Sequence, residues 1–298
     1  MRVLLHLAFL ASLALFVFRE GFSHQFTNWD DGQYIVENSL VHGLSWDRIV
    51  TAFSGFHVAN YNPLHLISYM VDYELWGLHA GKFFATGLLL HTLTAFLVHE
   101  VARRFTGSAG AALVVAAVFL IHPTRVESVA WLSERKDLLS GLFSMGSLLA
   151  YMNHREARSA VKGKITLAAS CILYLLALLS KTQVVTLPLV LVALDLVEGR
   201  GLKSSLLGKV PFFVLSILFS VVTVAAALGD EGTRGFELPG SILDPIAALP
   251  HYVLHMFWPI GLSPYYGHPE REFHGALALS SGTLVLLGLG FLAWRSWR

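Results

Sequence analysis

The chain has 298 residues, of which 55% are hydrophobic and 14% charged, with a mean hydropathy of +0.60 and a formal net charge of +1. Soluble domains carry about 25% charged residues, so this composition excludes a soluble globular protein and a disordered chain. A net charge this close to zero also argues against nucleic acid as a partner. The single cysteine, Cys171, cannot form an intrachain disulfide or a thiolate metal site. The composition predicts an all-α, multi-pass transmembrane helical bundle.

Apolar stretches recur along the whole chain, and each is a candidate membrane helix. The first ends at Phe18-Arg19-Glu20, which is not a small-residue cleavage site, so we interpret it as an uncleaved anchor; a cleaved signal peptide is the alternative. Residues 243–262 contain three prolines and are expected to form a re-entrant or interfacial helix that does not cross. The expected spans are residues 3–18, 83–101, 109–121, 138–151, 165–180, 184–196, 210–228 and 276–294.

The distribution of charge predicts an orientation. With this topology, twelve of the 21 lysines and arginines, but only four of the 20 acidic residues, lie on the side that holds the N-terminus. Basic loops mark the cytoplasmic side, so the opposite side is expected to be extracytoplasmic. Three segments lie there: the first loop (19–82), the second loop (122–137) and a third segment (229–274). Interfacial helices are expected in the first loop and in the later ones.

The spans themselves contain few polar side chains. No acidic residue is expected deep in a span, and the one polar candidate there, His91, is expected to hydrogen-bond to a neighbouring helix. Transporters usually place ionisable residues near the bilayer midplane. The pattern therefore favours an enzyme that acts on a lipid-linked substrate at the outer interface.

Paired carboxylates occur early in the first loop, in Asn28-Trp29-Asp30-Asp31-Gly32. Adjacent carboxylates in a turn can supply a general base or bind a metal, although a solvated Asp-Gly turn is the ordinary alternative. Later in the same loop, the stretch Phe56–His65 is rich in aromatic and polar residues. Such residues are typical of a membrane-interface belt, with a sugar-stacking surface as the alternative.

The second loop has the densest set of charges in the chain. If the segment is helical, Glu127, Trp131 and Glu134 share one face by their i, i+4, i+7 spacing. An amphipathic interfacial helix is the simpler interpretation. Between the two following spans, Lys181 is either a snorkelling lysine or a cation that holds a lipid phosphate.

The motifs together, in this order, resemble the membrane part of the transmembrane and tetratricopeptide-repeat-containing (TMTC) O-mannosyltransferases and their bacterial relatives, of the GT-C superfamily. The resemblance covers roughly residues 28–269, and its most specific piece is Glu127–Asp137. The expected single domain covers residues 1–298 and lacks tetratricopeptide repeats. The motifs are Asn28-Trp29-Asp30-Asp31, Phe56–His65, His122-Pro123, Glu127–Trp131, Glu134–Asp137, Ser180-Lys181 and Trp258–Pro264.

The resemblance implies an inverting transfer of a sugar, such as mannose, from a polyprenyl-phosphate donor to a hydroxyl acceptor on a protein or glycan. It implies that an acidic residue of the first loop, Asp30 or Asp31, is the catalytic base. Lys181 and Arg125 are then expected to bind the donor phosphate, because cations stabilise the charge of the departing phosphate. The expected supporting residues, in contact with acceptor or sugar, are His57, Asn62, His65, His122, Glu127, Trp131, Glu134, Arg135 and Lys136.

Three further expectations complete the interpretation. No residues form a compact metal-binding cluster in the sequence, so no cofactor is predicted, although a divalent metal remains possible. The expected location is a bacterial inner membrane, with the active face in the periplasm. Two other classes of function remain open: a carrier or flippase for a lipid-linked substrate, and a non-catalytic membrane scaffold.

Overall fold

The computed structural model describes residues 2–228, 238–263, 280, 282–285 and 287–288. In this part of the chain the structure is helical, and the only β-type pairing is an isolated bridge between His57 and Asn60. The predicted all-α fold class is confirmed. The helices are α1 Arg2–Val17, α2 Trp46–Ser54, α3 Pro63–Trp76, α4 Ala80–Thr106, α5 Ala109–Ile121, α6 Val126–Ala130, α7 Arg135–Arg155, α8 Ala160–Ser180, α9 Leu187–Val197, α10 Leu202–Leu207, α11 Val210–Leu228 and α12 Leu238–Phe257.

Short tight helical turns connect several of these helices. A single π-helical turn covers Gly32–Val36 in the first loop. The 3₁₀ turns are Arg19–Ser23, Ser39–Val41, Pro123–Arg125, Leu132–Glu134 and Thr182–Thr186.

Local sequence sets the ends of the long helices. Helix α4 ends at Gly107, whose φ of 65° is the left-handed conformation that glycine adopts without strain. Ser108 then begins α5, because its hydroxyl accepts a hydrogen bond from the Ala111 amide. Ser159 caps the start of α8 in the same way, through the amide of Lys162. These stops turn the chain back and produce antiparallel neighbours.

Three helices are long and apolar enough to cross a membrane: α4, α8 and α11. They contain the predicted spans 83–101, 165–180 and 210–228. Helices α5 and α6 meet the same criterion only as a pair bent by 55°, which is a broken span or a re-entrant segment. Helix α1 and the segment Thr182–Val197 are shorter apolar helices. The predicted span 276–294 lies largely outside the described residues, as do parts of the third segment.

Packing brings the two loops over one end of the bundle. Helix α7 lies along α8, and α4 packs against both α5 and α7. His91 of α4 donates from Nε2 to the carbonyl of Leu120 at the end of α5, at 2.9 Å, so the predicted hydrogen bond to a neighbouring helix is confirmed. Below the loops, Tyr69 of α3 and Phe83 of α4 stack inside the core.

A buried ion pair fastens the first loop to the bundle. Arg135, at the start of α7, is only 2% exposed, and its Nη2 lies 2.6 Å from Oδ2 of Asp72 in α3. The same guanidinium donates to the carbonyls of Phe83 and Ser68, at 2.7 and 3.2 Å. It also lies over the ring of Tyr69, 4.7 Å from the centroid. Arg135 therefore joins α3, α4 and α7.

A second buried ionic cluster lies at the other end of α7. Asp195 of α9 accepts hydrogen bonds from the Tyr151 hydroxyl, at 2.9 and 3.0 Å, and pairs with Arg155 and Lys209. Asp195 and Lys209 are almost completely buried. This cluster holds α7, α9 and the start of α11 together at the end of the bundle away from the loops.

We expect Arg135→Met to lower the free energy of unfolding by about 3–5 kcal/mol, because the variant leaves the buried Asp72 carboxylate without its cation. Thermal unfolding in detergent, followed by tryptophan fluorescence, measures the change. The double variant Arg135→Met/Asp72→Leu should recover much of the loss.

Arg19→Met is the matched control for that substitution, because Arg19 pairs with Glu20 on an exposed surface. Exposed pairs contribute up to about 1 kcal/mol. Equal stability of Arg135→Met and Arg19→Met would contradict the role assigned to the buried pair.

Candidate functional site

Asp31 joins the two loops that the sequence singled out. Its side chain is completely buried, and each carboxylate oxygen accepts two hydrogen bonds. Oδ2 accepts from the backbone amide and the hydroxyl of Thr27, at 2.9 and 3.0 Å. Oδ1 accepts from the amide of Ser133 at 3.0 Å and from the Ser133 hydroxyl. Because four donors satisfy this carboxylate, Asp31 is placed to hold the first loop against the second loop.

Asp30, the neighbouring residue, has a different environment. Its side chain is half-buried, and within the described part of the chain it makes no hydrogen bond or ion pair. It lies near Tyr34, one helical turn later. Burial raises the pKa of Tyr34 to about 12, and the negative charges of Asp30 and Glu134 add to the rise. Asp30 is therefore the member of the pair whose carboxylate is available to a substrate.

A break in the second loop presents Ser133 to Asp31. Helix α6 ends at Ala130, Trp131 is extended with ψ 111°, and a 3₁₀ turn follows before α7 begins at Arg135. The second loop is therefore not one helix, and Glu127, Trp131 and Glu134 do not share a helical face. Because the chain is extended at Trp131, the Ser133 amide and hydroxyl both reach the carboxylate of Asp31.

Two lysines converge on one glutamate beside this contact. Glu134 binds Lys136 Nζ through Oε1 and Lys181 Nζ through Oε2, each at 3.0 Å. Lys181 also pairs with Asp137 Oδ1 at 2.6 Å, and Asp137 accepts a hydrogen bond from the Ser128 hydroxyl at 3.1 Å. We call Lys136, Lys181, Glu134 and Asp137 the lysine–carboxylate cluster; its formal charge is zero.

The cluster keeps Lys181 charged. Burial acts to lower the pKa of Lys181, but the Asp137 and Glu134 carboxylates outweigh it, and the pKa is raised above its ordinary value. An ammonium has three donors, and two of those of Lys181 are directed at these carboxylates. The third has no partner among the described residues, and the Lys181 side chain remains 17% exposed. Lys136 lies over the Tyr34 ring, 5.1 Å from its centroid, so the cluster extends to the turn that follows Asp30.

Two predicted histidines of the first loop occupy different environments. His65 is completely buried, and its Nε2 lies 2.7 Å from the Tyr69 hydroxyl, which donates to the Leu132 carbonyl. His57 lies in a surface turn, where Nε2 donates to the Thr51 carbonyl at 3.2 Å. His65 therefore supports the site from the core, whereas His57 does not approach the lysine–carboxylate cluster through any described contact.

The remaining predicted residues make contacts outside the lysine–carboxylate cluster. Asn62 is largely buried at the start of α3, and its carbonyl accepts from the His65 amide. His122 caps the Pro123–Arg125 turn and donates from Nε2 to the Met256 carbonyl at 3.1 Å. Arg125 lies over Phe119, 5.7 Å from the ring centroid, and Glu127 is exposed.

An aromatic pair flanks Asp30. Trp131 packs edge-to-face on Trp29, with their ring centroids 5.3 Å apart. Trp29, next to Asp30 in the chain, is 49% exposed. The Trp131 indole nitrogen is buried and has no hydrogen-bond partner in the described structure.

The sequence analysis did not predict four residues of the site: Thr27, Tyr34, Ser133 and Asp137. Ser133 contacts Asp31 across 102 positions, and no local pattern marks such a pair. Asp137 had a signal, since it closes the same charged run as Glu134. Among the residues that the structure describes, no three His, Cys, Asp or Glu side chains form a candidate metal site.

Sequence comparison finds relatives among curated protein O-mannosyl-transferases. The chain is 33% identical over 113 residues to tmtc2 of Xenopus laevis, which covers 38% of this chain and 13% of that protein. It is 29% identical over 188 residues to Tmtc2 of Drosophila melanogaster, covering 57% and 19%. It is 27% identical over 164 residues to TMTC4 of Homo sapiens, covering 47% and 22%.

These matches confirm the resemblance to TMTC-family proteins, and together with the apolar helices they indicate a helical membrane protein. The matched part of the chain spans less than a quarter of the length of these relatives. No family model matches the chain, and no solved structure matches it.

The environment of His65 predicts that acid destabilises the fold. Burial first, and then the positive charges of Lys136, Arg135 and Lys181, lowers the pKa of His65 well below its ordinary value. In the unfolded chain the His65 imidazole is protonated near pH 6.5, whereas in the folded chain it stays neutral. The free energy of unfolding therefore falls as the pH drops below 6.5. One proton gives a slope of at most about 1.4 kcal/mol per pH unit.

Unfolding between pH 7.5 and 5.5 measures the slope, and His65→Gln, which keeps a donor towards Tyr69, should make it shallower by the share of one proton. The exposed His79 provides the control: His79→Gln should retain the wild-type slope. The assignment is wrong if His65→Gln and wild type lose stability in parallel.

Proposed function

We propose that this chain transfers a mannosyl group from a polyprenyl-phosphate donor to a hydroxyl group of a protein, with inversion at the sugar carbon. Two consecutive contacts support the proposal: Asp31 accepts from Ser133, and Glu134, which follows Ser133 in the sequence, pairs with Lys181. These contacts connect the first loop, which holds the unpaired Asp30, to the lysines of the second loop and of the α8–α9 connection. A base and a phosphate-binding cation belong to the same site.

The proposed chemistry needs one base and one cation. The Asp30 carboxylate takes the proton of the acceptor hydroxyl as its oxygen forms a bond to the sugar carbon. The bond from that carbon to the phosphate oxygen breaks, and its electron pair stays on the phosphate. No acid is required, because a phosphate is already a good leaving group. Attack from the face opposite to the phosphate gives inversion.

Lys181 is the residue best placed to stabilise the departing phosphate. The pairs with Glu134 and Asp137 hold its ammonium in a fixed position, so little reorganisation is needed when charge develops. Lys136, bound to the other oxygen of Glu134, adds a second positive charge. Arg125 is half-buried and forms no ion pair with the described residues, so it is a further candidate for the phosphate.

The half-exposed ring of Trp29 suits the sugar. The negative face of an aromatic ring attracts the C–H groups of a pyranose. Because Trp29 precedes Asp30 directly, a sugar on this ring lies next to the proposed base. The positive-inside charge distribution supports an extracytoplasmic site, and we propose the periplasmic face of a bacterial inner membrane.

Asp30→Asn should lower transfer from radiolabelled polyprenyl-phosphate mannose to a threonine-bearing peptide by about 10²–10⁴-fold, the usual contribution of a general base. The variant should unfold at the wild-type temperature, since Asp30 has no partner in the described structure to lose. The assay uses the chain reconstituted in liposomes.

Asp47→Asn is the matched control, because Asp47 is an exposed aspartate of the same loop. It should retain wild-type activity. Lys181→Met should lower activity to the extent that it weakens binding of the donor. Full activity of Asp30→Asn would refute the base assignment. Movement of the lipid donor across the bilayer without mannosylated product would instead identify a carrier, and a chain with neither activity is a scaffold.

A further inference from the structure

A cleft of about 510 Å³ opens on the first loop, apart from the lysine–carboxylate cluster. One wall is the π-helical turn that follows Asp30 together with the residues after it, and the other is the hairpin Phe56–Asn60. No membrane-spanning helix contributes to the lining. The side chains that line it include Gln33, Glu37, Asn38, Ser39, Phe56 and His57.

The hairpin wall is held in an unfavourable conformation. The amides and carbonyls of His57 and Asn60 pair at 2.8 and 3.0 Å, and the two residues between them have positive φ angles, 49° for Val58 and 56° for Ala59. Such two-residue turns favour Asn-Gly, because β-branched and alanine side chains are strained there. Strained backbone of this kind is concentrated at ligand-binding segments.

Asn60 connects this wall to the proposed active site. Its amide donates to the Tyr34 hydroxyl at 3.0 Å and to the Val58 carbonyl at 2.6 Å. Tyr34 lies under the Lys136 ammonium and one turn from Asp30. Tyr34 therefore contacts both the hairpin wall, through Asn60, and the lysine–carboxylate cluster, through Lys136.

The charge of the cleft is unsuited to a phosphate. Glu37 is the only formally charged side chain in its lining, and Arg48 lies behind Ser39, to whose carbonyl it donates at 2.7 Å. Within the described residues, the side chains of Gln33 and Glu37 make no hydrogen bond or ion pair, although the Glu37 amide donates to the Gly32 carbonyl at 2.8 Å. Free amide and carboxylate groups beside the exposed ring of Phe56 fit the mixed polar and apolar surface of a polypeptide.

We infer that this cleft binds the acceptor polypeptide, with a basic residue of the acceptor next to Glu37 and the hydroxyl directed to Asp30. The inference rests on the proposed function. It places the acceptor on the first loop, on the side of Asp30, and the phosphate of the lipid donor at the lysine–carboxylate cluster. Inverting displacement requires the acceptor hydroxyl and the departing phosphate to lie on opposite faces of the sugar carbon, and separate binding sites for the two substrates allow this.

The test uses two synthetic threonine-bearing peptides that differ only in their flanking residues, two lysines in one and two glutamates in the other. Each carries a fluorophore, and its binding to the liposome-reconstituted chain is measured by anisotropy without donor. Wild type should bind the lysine-flanked peptide about threefold more tightly, as expected for an exposed ion pair. Glu37→Lys should reverse the preference, and Glu20→Lys, at an exposed glutamate of the same loop, should not.

A benzophenone on the lysine-flanked peptide supplies a second readout, since crosslinks should map to the Phe56–Asn60 hairpin. An unchanged preference in Glu37→Lys, or crosslinks that map elsewhere, would overturn the inference. Binding is measured without transfer. A peptide that binds with the predicted preference but is never mannosylated therefore refutes the proposed function and leaves the polypeptide site standing.

Discussion

The buried carboxylate of Asp31 is the constraint on which the arrangement of the site depends. A carboxylate without water is tolerated only when hydrogen bonds satisfy it, and here Thr27 and Ser133 supply four. Thr27 belongs to the same turn, but Ser133 belongs to a segment that follows α6, five helices further along the chain. The contact therefore fixes the first loop on the second loop and fixes Asp30, its neighbour, at the junction.

The few charges of this apolar chain are concentrated where they join helices. Arg135 and Asp72 are both nearly excluded from solvent, as are Lys209 and Asp195 at the other end of the bundle. A single unpaired charge at such a position would be costly, so each buried cation has a carboxylate. The lysine–carboxylate cluster differs, since Lys181 and Asp137 keep partial exposure.

The sequence predicted the helical architecture well, because hydrophobic length and periodicity are local properties. Three predicted spans lie in helices long enough to cross, and His91 makes the expected bond to its neighbour. The first and second loops, which the sequence singled out, contact each other at Asp31 and Ser133. The sequence did not distinguish Asp30 from Asp31, since adjacent identical residues differ only through contacts made far along the chain.

Long-range contacts account for the rest of what the sequence left open. The dense charges of the second loop predicted an amphipathic helix on the surface. Arg135 and Glu134 are instead buried, because Asp72 of α3 and Lys181 of the α8–α9 connection pair with them. No proline or glycine in the sequence marks the helix break at Trp131. The break forms because the extended residue brings Ser133 to Asp31, and that tertiary gain outweighs local helix propensity.

A double-mutant cycle between Asp31→Asn and Ser133→Ala tests the central contact most directly, by the free energy of unfolding in detergent. The two substitutions should couple by about 0.5–3 kcal/mol, because they remove the two partners of one buried interaction. Ser144→Ala supplies the control, as this buried hydroxyl of α7 has no hydrogen-bond partner in the described structure. If the coupling energy between Asp31→Asn and Ser133→Ala is as small as that between Asp31→Asn and Ser144→Ala, the two loops do not meet at Asp31.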